Sequence, residues 1–110
     1  MGEYPKSVMK LIRQYARQAH EEELRRALEP LAQKFDEWRA GVVGSGELTE
    51  IIHKFHSGPS RELFKFYNEP APLDLAVVRA IVIGVLDEKG VDKSVLSHLE
   101  PDIRMYRERE

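Results

Sequence analysis

Two histidines and a carboxylate form the first group of side chains that could do chemistry. Glu50, His53 and His56 follow one another at steps of three residues, so on a helix they lie on successive turns. A Glu-x-x-His pair on a helix supplies ligands in di-iron carboxylate bundles, and imidazole is a common ligand of other divalent metals. The spacing therefore predicts a divalent-metal site built on a Glu-x-x-His-x-x-His helix face.

The helical projection of this segment limits what kind of metal site it could be. At about 100° per residue, Glu50 and His53 point away from the apolar face and His56 lies at its edge. That apolar face, which we expect to pack on the core, consists of Leu48, Ile51, Ile52 and Phe55. The sequence holds no second Glu-x-x-His. The predicted site is therefore exposed or shared with a second copy of the chain, and a solvated helix face is the plain alternative.

The residues after His56 suggest a different ligand. Ser57, Ser60 and Arg61 flank Gly58-Pro59, which we expect to end one helix and begin another. A helix N-terminus with free amides, a hydroxyl and a guanidinium can hold a phosphate or carboxylate. The pattern predicts an anion site here, although Pro59 removes one amide and a structural turn explains the same residues.

Residues 47–67 also allow a helix-turn-helix, with 59–67 as the recognition helix and Gly58 in the turn. Lys54 stands where a small residue usually lets the two helices approach, and the second helix offers only Arg61 and Lys65 as basic residues. The formal net charge of the chain is −2. Charge and composition thus argue against nucleic acid as the partner.

Other reactive groups give weaker signals. His20 with Glu21–Glu23 is a further possible ligand set, but acidic runs on helices are usually solvated. The chain has no cysteine, no Gly-x-Ser-x-Gly elbow and no phosphate loop, so nucleophilic catalysis finds no support. We therefore lean toward a protein that is not an enzyme.

Helices must position all of these residues. Apolar stripes at helical spacing run through residues 8–19 and 24–42, but they are out of phase, and Pro30 lies inside the second. Because proline removes a helix hydrogen bond and clashes with the preceding turn, we expect two helices over residues 8–40, or one that bends sharply. Gly41 is placed to cap the end of this region.

The rest of the chain also predicts helices. We expect helices over 47–56 and 59–67, a turn at 68–72, a central apolar helix 74–89 between Asp74 and Gly90, and a short helix 93–99 capped by Asp92. Residues 101–110 read as a charged tail, helical but partly frayed. The prediction is an all-α bundle of five or six helices in a single domain, 1–110.

Bulk properties bound the class of protein. The longest apolar stretch, 80–86, has seven residues, whereas a membrane span needs about 20, and the first residues do not resemble a secretory signal. With no cysteine, the composition suits a reducing compartment. We expect a cytoplasmic protein that does not enter membranes.

The leading functional prediction is a protein-interaction or structural module that forms a homo-oligomer. Its basis is the length of the N-terminal apolar stripe, which is more than one short bundle easily covers. Self-association through this N-terminal region is the expected interaction, and another protein is a possible partner. The alternatives are the metal-binding protein and the helix-turn-helix nucleic-acid binder described above.

Overall fold

A computed structural model describes residues 4–68 and 72–109 of the chain. Within these residues every regular element is helical: α1 (Lys6–Arg39), α2 (Ser45–Phe55), a π-helical turn (His56–Ser60), α3 (Arg61–Asn68), α4 (Leu73–Val82), a short 3-10 turn (Glu88–Gly90) and α5 (Lys93–Arg109). The all-α class is confirmed. The predicted count of five or six helices is wrong, because α2, the π-helical turn and α3 follow one another without a break and the described residues thus form four separate helices.

The N-terminal region is one helix of 34 residues with Pro30 inside it. Of the two alternatives that the sequence left open, a single helix is therefore correct and two separate helices are wrong. Pro30 cannot donate a hydrogen bond to the carbonyl of Arg26, four residues earlier. Both residues are exposed. Solvent lies beside this part of the helix, where the hydrogen bond that Pro30 cannot donate is missing. The helix ends as predicted at Gly41, whose φ of 81° allows its N–H to donate to Trp38 O and that of Val42 to Glu37 O, which is a Schellman cap.

The predicted break at Ser57-Gly58-Pro59 is also wrong. The chain passes from α2 through the π-helical turn into α3 without leaving helical conformation. Pro59 has no N–H, and its ring would clash with the carbonyl of Phe55 in a regular α-helix. The helix widens by one residue at this point instead of stopping.

The central apolar helix is confirmed as buried but is shorter than the predicted range 74–89. α4 ends at Val82, where Gly84 takes a φ of 83°. The N–H of Val85 donates to Ala80 O at 2.8 Å and that of Gly84 to Ile81 O at 3.2 Å, so a second Schellman cap stops the helix. The predicted turn at 68–72 lies partly outside the described residues.

The C-terminal segment is a single helix and not a short helix with a frayed tail. Asp92 caps it as predicted, with its Oδ1 accepting bonds from Ser94 N and Ser94 Oγ at 2.9 and 2.6 Å. The helix continues through Pro101 to Arg109. Ile103 is fully buried, and this burial holds the predicted tail on the core.

The core occupies one end of the molecule, which we call the head: residues 4–19, α4 and α5. One cluster of buried side chains joins these helices, and Ile12, Val77, Val95 and Leu99 are completely inaccessible. The hydroxyl of Tyr15 on α1 accepts a bond from the N–H of Asp92 at 2.9 Å, which fixes the start of α5 against α1.

Residues 20–68 form the remainder, which we call the arm: the C-terminal part of α1 folded back against α2, the π-helical turn and α3. Only Val43, Leu48 and Tyr67 are buried there. The arm is only two helices thick, so it extends the molecule along one axis. The molecule measures 54 × 26 × 26 Å. No helix in the described ranges is both long enough and apolar enough to cross a membrane.

Candidate functional site

The predicted site residues converge on an open groove along the outer side of α2 and α3. The groove has a volume of about 660 Å³. It is lined by His53, His56, Ser57, Ser60, Arg61, Phe64 and Lys65. The π-helical turn therefore brings the predicted metal ligands, except Glu50, and the predicted anion ligands to one surface.

Among the described residues, the fold adds no further metal-ligating side chains to the predicted metal site. Glu50, His53 and His56 are all exposed, in agreement with the helical projection for the first two. Across residues 4–68 and 72–109, no group of three or more histidine, aspartate or glutamate side chains is arranged to hold a metal ion. The metal site stays a prediction, and it would need further ligands from solvent or from a second copy of the chain.

The anion prediction rested on a helix N-terminus, and the structure has none at Pro59. Since the chain stays helical from α2 to α3, the amides there are engaged in helix bonding and are not free. Ser57 Oγ donates to His53 O at 2.9 Å. Arg61 and Lys65 remain exposed beside the groove. The groove therefore has cationic side chains but lacks the free backbone N–H groups that the anion prediction required.

The helix-turn-helix arrangement is absent for the same reason. A recognition helix must leave the preceding helix through a turn so that it can enter a groove of DNA. Here α2 and α3 belong to one continuous helix. The predicted helix-turn-helix at residues 47–67 is therefore wrong.

A polar network that the sequence analysis missed lies where the arm joins the head. Glu23 on α1 accepts two bonds from Arg79 on α4, at 2.8 and 3.2 Å, and one from the hydroxyl of Tyr67 on α3. The Arg79 guanidinium also lies 4.9 Å from the centre of the Phe66 ring. These contacts tie three helices together at one carboxylate.

The electrostatics of this network follow from its partial burial. Burial alone would raise the pKa of Glu23, but hydrogen bonds from Arg79 and Tyr67 outweigh it and the pKa is lowered. Burial and the bond to Glu23 raise the pKa of Tyr67. The bond to Glu23 raises the pKa of Arg79. The network thus holds a charged Glu23–Arg79 pair and a neutral Tyr67 hydroxyl, and this arrangement stabilises the fold.

The sequence did carry a signal for this network. Arg79 is the only charged residue from 75 to 86, within an otherwise apolar stretch, and a charge in such a helix needs a partner. The sequence pattern predicts Glu23 only as a ligand beside His20. The structure pairs it with Arg79, and the His20 ring stacks on Tyr67 at 4.9 Å and 15°.

The arm also exposes apolar side chains, and one of them is Ile52, which the helical projection wrongly placed on the face that packs on the core. Leu28, Ile52 and Phe64 are 45%, 38% and 60% exposed. Each is followed three residues later by a side chain that is half-buried or buried: Leu31, Phe55 and Tyr67.

These three exposed side chains lie on one side of the arm. A step of three residues turns about 60° around a helix, so each exposed residue is rotated in the same sense from its inward partner. α1 runs antiparallel to α2 and α3, because a short loop at 40–44 joins them. In an antiparallel pair, equal rotations of this kind lead to the same side. We call the surface of Leu28, Ile52 and Phe64 the arm face.

Comparisons of this chain with protein-family models, curated proteins and solved structures find no match.

Proposed function

We propose that this protein is a structural or protein-interaction module that forms a homodimer by pairing the arm faces of two copies. The cytoplasmic location expected from the sequence belongs to this proposal. The observation that carries it is the surplus surface of the isolated chain.

The surface area supports a partner. The chain has an accessible surface of 7628 Å², whereas a monomer of 12.7 kDa is expected to expose about 6,200 Å². The surplus of about 1,400 Å² exceeds the roughly 800 Å² that each partner contributes to a standard interface. The radius of gyration, 17.4 Å, likewise exceeds the value of about 13 Å expected for a compact chain of this length.

The chemistry of the arm favours a second copy as the partner. Several charged side chains on the α1 half of the arm pair with each other: Glu22 bonds Arg25 and Arg26, Glu37 bonds Lys34, and Asp36 bonds Arg39. The arm face itself is apolar and lies between the two helices of the hairpin. Two such hairpins packed against each other make a four-helix bundle, and a twofold axis lets one surface serve both chains.

Light scattering coupled to size-exclusion chromatography tests the proposal. We expect a dimer at micromolar concentration, and a monomer for Ile52→Glu and for Leu28→Glu, because each places a charge in the apolar interface. Met105→Glu is the matched control: Met105 is 53% exposed but lies on the head, so this variant should stay dimeric.

Circular dichroism of each variant distinguishes dissociation from unfolding. Unchanged helical signal with a halved mass supports the interface. A wild-type monomer at micromolar concentration, or an equal loss of mass in Met105→Glu, would overturn the proposal.

A further inference from the structure

A second pocket lies on the molecule where α1 passes the end of α3 and the start of α4. Its volume is about 250 Å³. It is lined by Arg13, Ala16, Arg17, His20, Tyr67, Asn68 and Leu73. No residue of the arm face or of the groove along α2 and α3 belongs to it.

The rim of this pocket concentrates unpaired basic groups. Arg13, Arg17 and His20 recur at steps of four and three on α1, so they lie on one face. Among the described residues neither arginine has a carboxylate partner, whereas Arg25, Arg79 and Arg107 each bond one. Two like charges at a spacing of four repel each other, and no carboxylate in the described part of the chain lies within ion-pair distance of either arginine.

His20 is one of the residues in the wall of the pocket. Its Nε2 is buried behind the wall and has no hydrogen-bond partner among the described residues. The other side chains of the wall are already committed: the Tyr67 hydroxyl donates to Glu23, and Asn68 Nδ2 donates to Phe64 O at 2.9 Å. Buried polar atoms without partners are rare in folded proteins, but this one is closed to solvent, so the polar contacts that the pocket offers a ligand come from Arg13 and Arg17.

We propose that this pocket binds a phosphate group, with Arg13 and Arg17 as its principal ligands and His20 at its wall. A phosphate dianion neutralises both guanidinium groups, whereas a carboxylate carries only one charge, and arginine matches phosphate geometry through paired N–H donors. The buried Ala16 and the Tyr67 ring supply an apolar floor. Because the volume is below the usual range of small-molecule sites, the ligand is inorganic phosphate or a phosphate monoester of a few carbons.

Nuclear magnetic resonance titration tests this site. Inorganic phosphate added to the ¹⁵N-labelled protein should give saturable shifts at the backbone amides of Arg13, Arg17, His20 and Asn68, while sodium chloride at equal ionic strength should not. Arg17→Gln should weaken binding at least tenfold. Arg61→Gln is the control, because Arg61 also lacks a carboxylate partner among the described residues but lines the other groove; its binding should match the wild type.

A parallel titration with glycerol phosphate separates the two sources of the phosphate group. Tighter binding of the ester identifies a small organic phosphate, and tighter binding of inorganic phosphate identifies the free ion. Shifts that grow linearly without saturation, that chloride reproduces, or that Arg17→Gln and Arg61→Gln reduce equally would overturn the proposal. The spectrum of each variant before titration shows that it is folded.

Discussion

Arg79 on α4 donates two hydrogen bonds to Glu23 on α1, at 2.8 and 3.2 Å, across 56 positions of sequence. The Glu23 side chain is only 12% exposed and that of Arg79 30%. The Tyr67 hydroxyl on α3 bonds the same carboxylate. The pair therefore stands at the junction of head and arm, and it holds the direction in which the arm leaves the head.

Replacing Glu23 by glutamine should destabilise the fold. The change keeps the shape of the side chain but leaves the half-buried Arg79 without its countercharge, which should cost about 2 kcal/mol of unfolding free energy. Urea denaturation followed by circular dichroism measures this. Glu22→Gln is the control, because Glu22 bonds only the exposed Arg25 and Arg26 on its own helix; an equal effect of both changes would contradict the junction role.

The stabilising effect of Glu23 should depend on pH in a defined direction. The pKa of Glu23 in the folded chain lies below its ordinary value of 4.5. A carboxylate with a lowered folded-state pKa stabilises the fold above its unfolded-state pKa, and this effect is lost as the pH falls through the folded value. The difference in unfolding free energy between wild type and Glu23→Gln should thus be full near neutral pH and shrink below about pH 4.5. Urea titrations across this range measure it, and a constant difference down to the acid limit would contradict the assignment.

Gly84 should not tolerate a side chain. Its φ of 83° is the left-handed conformation that closes α4, and this conformation costs a residue with a Cβ about 1 kcal/mol. Gly84→Ala should lower the melting temperature. Gly90→Ala is the matched control, because Gly90 has no positive φ and a Cβ there would meet open space; its melting temperature should be unchanged or slightly raised.

Gly58→Ala distinguishes a continuous helix from the turn that its sequence context suggests. Gly58 has no positive φ, and a Cβ there would meet nothing within 4 Å. In a continuous helix alanine should stabilise the chain by about 0.5–1 kcal/mol. Thermal unfolding followed at 222 nm measures the change. A clear loss of stability would mean that residues 57–59 form a turn in solution.

The sequence predicted the local features of the fold well. Helical periodicity gave the all-α class, and Gly41 and Asp92 cap helix ends as their chemistry indicates. Apart from the early end of α4 before Gly84, the errors lie at Pro30, Pro59 and Pro101, each of which we expected to end or interrupt a helix. Proline removes one hydrogen bond wherever it occurs, but exposure at Pro30, a π-helical turn at Pro59 and the burial of Ile103 beyond Pro101 keep those helices intact.

The candidate site was only partly readable from the sequence. The projection placed Glu50 and His53 outside the core, and both are exposed. It did not indicate that His53, His56 and Arg61 share one groove, because that required the helix to continue through Gly58-Pro59. Whether a proline ends a helix depends on the packing of the residues beyond it, and local spacing carries no information on that packing.

The sequence by itself determined that this chain folds as helices, where most of them begin, and which of their faces are apolar, because these properties depend on neighbours within four residues. Only the tertiary structure decided that Glu23 meets Arg79, that Arg13 and Arg17 border a pocket, and that Leu28, Ile52 and Phe64 share one exposed side. Those relationships depend on how helices far apart in sequence pack and on how much apolar surface the packing leaves uncovered.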